Sequence, residues 1–120
     1  MSGAGESGCG STGSGRPRRL TIVVSTAAEC GDLDAAFELA RAACACGVYV
    51  SMFFMSDAVA GLPQRRAELT ELTDDGCELA VCAASAAAAG LGEAEIGLPL
   101  GGQDDHAAMV SRADRVVAFT

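Results

Sequence analysis

The sequence predicts an α/β fold with a mostly parallel sheet, and three observations carry that expectation. Short runs rich in β-branched or aromatic residues, at 20–25, 48–54, 77–82 and 115–119, alternate with stretches of helical periodicity. The runs are apolar at consecutive positions, the mark of strands buried on both faces. The chain has 120 residues, one domain's length, and half of them are hydrophobic, enough for a real core. With four Phe, one Tyr and no Trp, that core is built from Ala, Val, Leu and Ile. Strand–helix alternation of this kind places four to five strands between two helical layers, a three-layer sandwich.

Residues 1–19 read as a disordered tail, since ten of them are Gly or Ser and no hydrophobic period runs through them. The folded domain is expected over 20–120. Its first strand is Leu20-Thr21-Ile22-Val23-Val24-Ser25. A loop of small residues follows, and then Leu33, Phe37, Ala40 and Cys44 recur at helical spacing over 32–46. Asp32 and Asp34 suit that helix's positive end, and Gly47 follows it as a C-cap does.

The second strand covers 48–54, and its Met52-Phe53-Phe54 core is expected to be buried on both faces. Ser56 or Asp57 caps a helical turn that Gly61 and Pro63 break. A helix over 65–75, with Leu69 and Leu72 inward, ends at Gly76. The third strand is 77–82. Residues 83–89, nearly pure alanine, predict a short helix closed by Gly90. The glycine-rich stretch 91–102 leaves room for a short strand near Ile96. Asp104 or Asp105 caps a last helix through Ala113, and 115–119 is the final strand.

Charge excludes several partners. Eight Arg, no Lys and sixteen acids give a net charge of −8 and a pI near 4.4. Beyond residue 19, five Arg stand against fifteen acids, a charge of −10. Such a surface repels nucleic-acid phosphates and anionic membranes alike. No apolar run is long enough to span a bilayer, and the N-terminus has no apolar signal segment. A cytoplasmic protein is the resulting expectation, and there the six Cys are expected as thiols.

Sites in parallel sheets form beyond the carboxyl ends of the strands. The turn after the first strand, Ala27-Ala28-Glu29-Cys30-Gly31, lacks the glycines of a dinucleotide or phosphate loop, and no Lys exists to serve one. Cys44 and Cys46 are C-x-C at a helix C-terminus, which disfavours a thiolate; Cys44 reads as core and Cys46 as incidental. No two Cys have zinc-site spacing, and His106 is the only His, so neither metal nor cofactor is expected. His106 reads as a solvated helix-start residue or as a polar group lining a site mouth.

Cys82 differs from the other cysteines. It falls where the third strand meets the alanine helix, so unpaired N–H groups and the positive dipole end favour its thiolate. Ser85, three residues on, can donate to the sulfur or cap the helix. Position alone also allows an inert buried thiol. Cys30 lies after the first strand; in a flavodoxin-like order, with the first and third strands adjacent, it approaches Cys82 as a resolving thiol. Asp57, at the same edge after the second strand, offers a polar group. Cys77 stands at the opposite, amino end of its strand and reads as core or surface.

Val81-Cys82-Ala83-Ala84-Ser85, with Gly90-Leu91 beyond, resembles the cysteine motif of the DsrE-like sulfur-relay family (DsrE/DsrF-like, TusD-like). The resemblance extends to the opening strand, to 47–54, to Leu72 and 76–79, and to 113–119. It implies a three-layer α/β sandwich and a homo-oligomer, often a trimer or hexamer. It also implies that Cys82 accepts sulfur as a persulfide and passes it between donor and acceptor proteins. Carrier members commonly have Arg just before the glycine equivalent to Gly90, where this chain has Ala88 and Ala89. Two other readings therefore stand beside the carrier: an inactive oligomeric scaffold of the same fold, and a thiol-redox sensor using Cys82 and Cys30. By elimination, Arg65, Arg66 and Arg112, supplied from another subunit, are the candidates to replace the missing positive charge.

Overall fold

A computed structural model describes residues 18–120; residues 1–17 of the expected 1–19 tail lie outside the described residues, while Arg19, placed in that tail, instead opens the first strand and pairs with Tyr49. Five strands form one parallel sheet: β1 (Arg19–Val24), β2 (Tyr49–Phe54), β3 (Glu78–Cys82), β4 (Leu100–Gly101) and β5 (Arg115–Phe119). The helices are α1 (Asp32–Ala45), α2 (Arg66–Asp74), α3 (Ala83–Ala88), α4 (Glu93–Ile96) and α5 (Gln103–Arg112), with 3₁₀ turns at Ala28–Cys30, Ser56–Gly61 and Pro63–Arg65. The expected α/β sandwich with a parallel sheet is present.

The strand order is β4-β3-β2-β1-β5, which separates β1 from β3 by β2. The flavodoxin-like adjacency of β1 and β3 is therefore not the one adopted. Right-handed crossovers explain the order. The chain steps from β1 to β4 in one direction, which keeps α1, α2, α3 and α4 on one face. Only the return from β4 to β5 runs the other way, and it carries α5 across the opposite face.

The main core lies on the first face. Ile22 and Val24 of β1, Met52 and Phe54 of β2, and Leu79 and Val81 of β3 meet Leu33, Phe37 and Ala40 of α1 and Leu69 and Leu72 of α2. The helical stripe read from the sequence is thus the buried one. The Phe37 and Phe54 rings meet at a tilt with centroids 6.2 Å apart. On the α5 face a smaller cluster forms from Phe53, Ala80, Cys82 and Met109, with Met55 against it. Met52, Phe53 and Phe54 are all fully buried, so β2 is covered on both faces as expected. The Thr21 hydroxyl, buried between β1 and α5, donates to the Met109 carbonyl at 3.0 Å.

Element ends differ from expectation where apolar spacing misleads. Ile96 belongs to the one-turn α4, and the fourth strand is the two-residue β4 instead. Ile96 is buried because α4 tucks it into the main core, a helix-side contact that periodicity over so few residues cannot distinguish from a strand. The last helix starts at Gln103 with Gly102 at its N-cap; Asp105 accepts from the Gly102 N–H at 2.8 Å.

The 28–30 and 56–61 turns touch closely at the carboxyl edge of the sheet. A Cβ on Gly61 would stand 2.7 Å from the Ala28 Cβ. Gly61→Ala is expected to lower stability by about 1–3 kcal/mol in a urea melt, and adding Ala28→Gly is expected to recover most of that loss. A double variant no more stable than Gly61→Ala would show that this contact is not the cause.

Candidate functional site

The site forms where β3 passes into α3. Cys82 is the last residue of β3 and the N-cap residue of α3. Strand alternation puts its side chain on the α5 face, 6% exposed, beside Phe53, Ala80 and Met109. Burial pushes the Cys82 thiol up. Polar groups of Ser85, Ala84 and Gln103 around the sulfur favour its charged form and together outweigh burial, so the thiol lies below its ordinary value. These are the orphan donors of a helix start plus two side chains. α3 carries no acid in its first turn to compete for them.

Ser85 is itself anchored. Its Oγ accepts from the Ser56 N–H at 2.8 Å, which ties the turn after β2 to the start of α3. Ser56 has φ 54°, the one positive φ at a non-glycine among the described residues. That conformation points its N–H at Ser85.

The third part of the site comes from α5. Gln103 Oε1 lies 3.3 Å from His106 Nδ1, and the His106 ring stacks on Phe53 with centroids 5.0 Å apart and an interplanar angle of 16°. His106 thus orients the Gln103 amide toward Cys82 while Phe53 holds the imidazole. Gln103 has no place in the sequence reading, and Ser56 enters it only as a candidate helix cap. The one available signal for both was their position just beyond a strand's carboxyl end.

Ser85 stands with Cys82, and His106 reaches it through Gln103. Cys30 and Asp57 are placed elsewhere. Cys30 is an exposed thiol on the 28–30 turn, and the intervening β2 removes the expected approach to Cys82. Asp57 is exposed and lines a separate crevice of about 520 Å³ with Ala28, Glu29, Gln64 and Arg65.

Within the chain, each of the three candidate arginines already has partners. Arg65 pairs with Glu68 and Asp34 and lies over the Phe37 ring. Arg66 donates to the Ala94 carbonyl, and Arg112 binds Glu78 at the far end of β3. Cys30, Cys44, Cys77 and Cys82 are free, whereas Cys46 is disulfide-bonded, contrary to the expectation of six thiols. Among the described residues, no group of three or more His, Cys, Asp or Glu is arranged to hold a metal ion. No described helix is long and apolar enough to cross a membrane.

A cysteine at the carboxyl end of a parallel strand, on the N-cap of a short helix, defines the class of this α/β protein by its site. The chain belongs to the DsrE/DsrF-like family, whose model matches residues 18–119, a family generally associated with sulfur relay. No curated protein matches the sequence. Two solved structures share the fold. The YchN protein from E. coli superposes with a TM-score of 0.65 at 23% identity, covering 85% of this chain and 99% of its own. A conserved protein of unknown function, BT1422 from Bacteroides thetaiotaomicron, gives a TM-score of 0.69 at 13% identity, covering 91% of this chain and 99% of its own.

Removing a hydrogen bond to the sulfur must raise the thiol's titration midpoint, because that bond favours the charged form. Ser85→Ala is expected to shift the pH profile of Cys82 alkylation upward and to slow alkylation at pH 7 on the order of tenfold. An unchanged profile would show that Ser85 does not hold the thiolate.

Proposed function

We propose that this protein is a sulfur-relay carrier in which the Cys82 thiolate takes up sulfur as a persulfide and passes it to a partner protein. The observation that supports this most is a buried cysteine at the carboxyl end of β3 and the N-cap of α3, its thiol held below the ordinary value by Ser85, Ala84 and Gln103. A thiolate is the nucleophilic form of cysteine. It attacks the terminal sulfur of a donor's persulfide, forming a new S–S bond, and the donor leaves as a thiolate. The transfer moves sulfane sulfur with no external oxidant. The acceptor's thiolate then attacks the terminal sulfur on Cys82, and Cys82 leaves as the thiolate that the same donors stabilise.

In this reading Ser85 and the Ala84 and Ser85 N–H groups hold charge at the sulfur. Gln103 does so from the other side, with His106 as its positioning residue. Donor and acceptor are in this reading proteins that present their sulfur by docking at this edge, where Cys82 is 6% exposed. The proposed setting is the cytoplasm, and the proposed assembly is a homo-oligomer of trimer or hexamer type. Support for assembly comes from the α5 face: Val116 pairs in register with Thr21, whose hydroxyl meets α5, and both Val116 and Val110 of α5 are exposed.

The test is incubation with a protein persulfide donor, followed by intact mass measurement and peptide mapping. One sulfur is expected to add at Cys82, to be removed by a thiol reductant, and to be lost in Cys82→Ser. A Cys82→Ser protein that still receives and delivers sulfur would overturn the carrier reading. A folded wild type whose Cys82 stays unmodified would favour the inactive scaffold. For assembly, sedimentation is expected to give a mass several times the chain's 12.0 kDa.

A further inference from the structure

A second pair of sulfurs stands at the amino end of the sheet, the end opposite Cys82. Cys44 lies on the last turn of α1 and Cys77 in the turn that leads from α2 into β3. Their Sγ atoms are 2.9 Å apart, although both are free thiols. Separate local structures bring them there. Gly47, at φ 80°, reverses the chain after α1, with its N–H bonded to the Cys44 carbonyl. The Leu72 carbonyl accepts from the Cys77 N–H at 3.0 Å, which pins Cys77 beneath the end of α2.

The two thiols differ in access. Cys77 is 5% exposed. Cys44 is half-buried and lines a crevice of about 220 Å³ with Gly47, Val48, Tyr49, Asp75 and Gly76. A reachable thiol backed by a buried one within bonding reach is the arrangement of an attacking and a resolving cysteine.

We propose that Cys44 and Cys77 form a redox-modification site that reduces a low-molecular-weight disulfide entering the crevice and closes to an intramolecular disulfide. In the first step the Cys44 thiolate attacks one sulfur of the small disulfide, forming a mixed disulfide and releasing one thiolate. In the second step the Cys77 thiol gives up its proton and attacks the Cys44 sulfur, expelling the second small thiol. Two protein thiols are oxidised and one disulfide is reduced to two thiols, so the exchange balances without another oxidant. Burial first, and the contact with Cys44 second, push the Cys77 thiol up to about 12, so the first attack falls to Cys44, and it is the short sulfur–sulfur distance that lets Cys77 resolve the mixed disulfide.

The closed bond would join α1 to the start of the strand that carries Cys82. β3 runs five residues, about 17 Å, so the bond would brace that strand without touching the sulfur at its other end.

The experiment uses the full chain carrying Cys46→Ser, reduced and then exposed to oxidised glutathione in stepped glutathione buffers, with free thiols alkylated afterwards. Cleavage at Arg and Glu leaves Cys44 in peptide 42–65 and Cys77 in peptide 72–78, each as its only cysteine. The expected result is a linked pair of these two peptides, and a melting temperature higher on the order of 10 °C in the oxidised protein. Cys77→Ala is expected to accumulate glutathione on Cys44. Because Cys77 is buried, Cys44→Ser serves as the second variant and should abolish the link while Cys77 stays unlabelled until unfolding. Separate alkylation of Cys44 and Cys77 at every buffer ratio would overturn the proposal. So would a Cys44 linked to any other cysteine.

Discussion

The Ser85 hydroxyl holds this site together. It accepts one hydrogen bond from the Ser56 backbone and donates another to the Cys82 sulfur. Three segments that are distant in sequence or differently folded meet there: the end of β3, the start of α3 and the turn after β2. A buried thiolate without such donors would be costly, because desolvation disfavours the charged form. Ser56 adopts a left-handed backbone at an energetic cost of order 1–3 kcal/mol, and the hydrogen bond to Ser85 helps to offset it. Strain in the turn and charge on the sulfur are thus two sides of one arrangement.

Topology places the remaining donor. Four strands are laid down in one direction, so only the final crossover covers the second face. That crossover begins directly beyond β4, the neighbour of β3, and α5 therefore starts at the carboxyl edge beside Cys82. Gln103 is the first residue of that helix and His106 comes three residues later, on the same side. The helix runs back along the sheet to Arg112, which meets Glu78 at the amino end of β3. One helix thus touches both ends of the strand that bears the reactive sulfur, and Phe53 anchors it midway through His106.

What the sequence revealed depended on distance along the chain. Cys82 and Ser85 were legible because a strand end, a helix start and an i, i+3 pair are all local features. The α1 stripe and the doubly buried β2 were legible from periodicity and composition. Ser56 and Gln103 were not, since Ser56 reaches Ser85 and Gln103 reaches the sulfur across more than 20 residues, and neither carries a motif. The approach of Cys30 failed because it depended on strand order, which handedness limits but does not decide from a single chain. Cys44 reads from the sequence as core and Cys77 as core or surface. Their meeting depends on α1 and α2 ending side by side over the same face, which no spacing between residues 33 apart discloses. A two-residue β4 lies below the length at which any periodicity exists.

The account stands on the Cys82 thiol ionising more readily than an ordinary cysteine although it is buried. The most direct measurement is a ¹³C NMR titration of the Cys82 Cβ in the reduced wild-type protein, assigned by comparison with Cys82→Ser. The account predicts a midpoint below the ordinary thiol range of about 8–9. A Cys82 that remains protonated up to or beyond that range in the folded protein would contradict it.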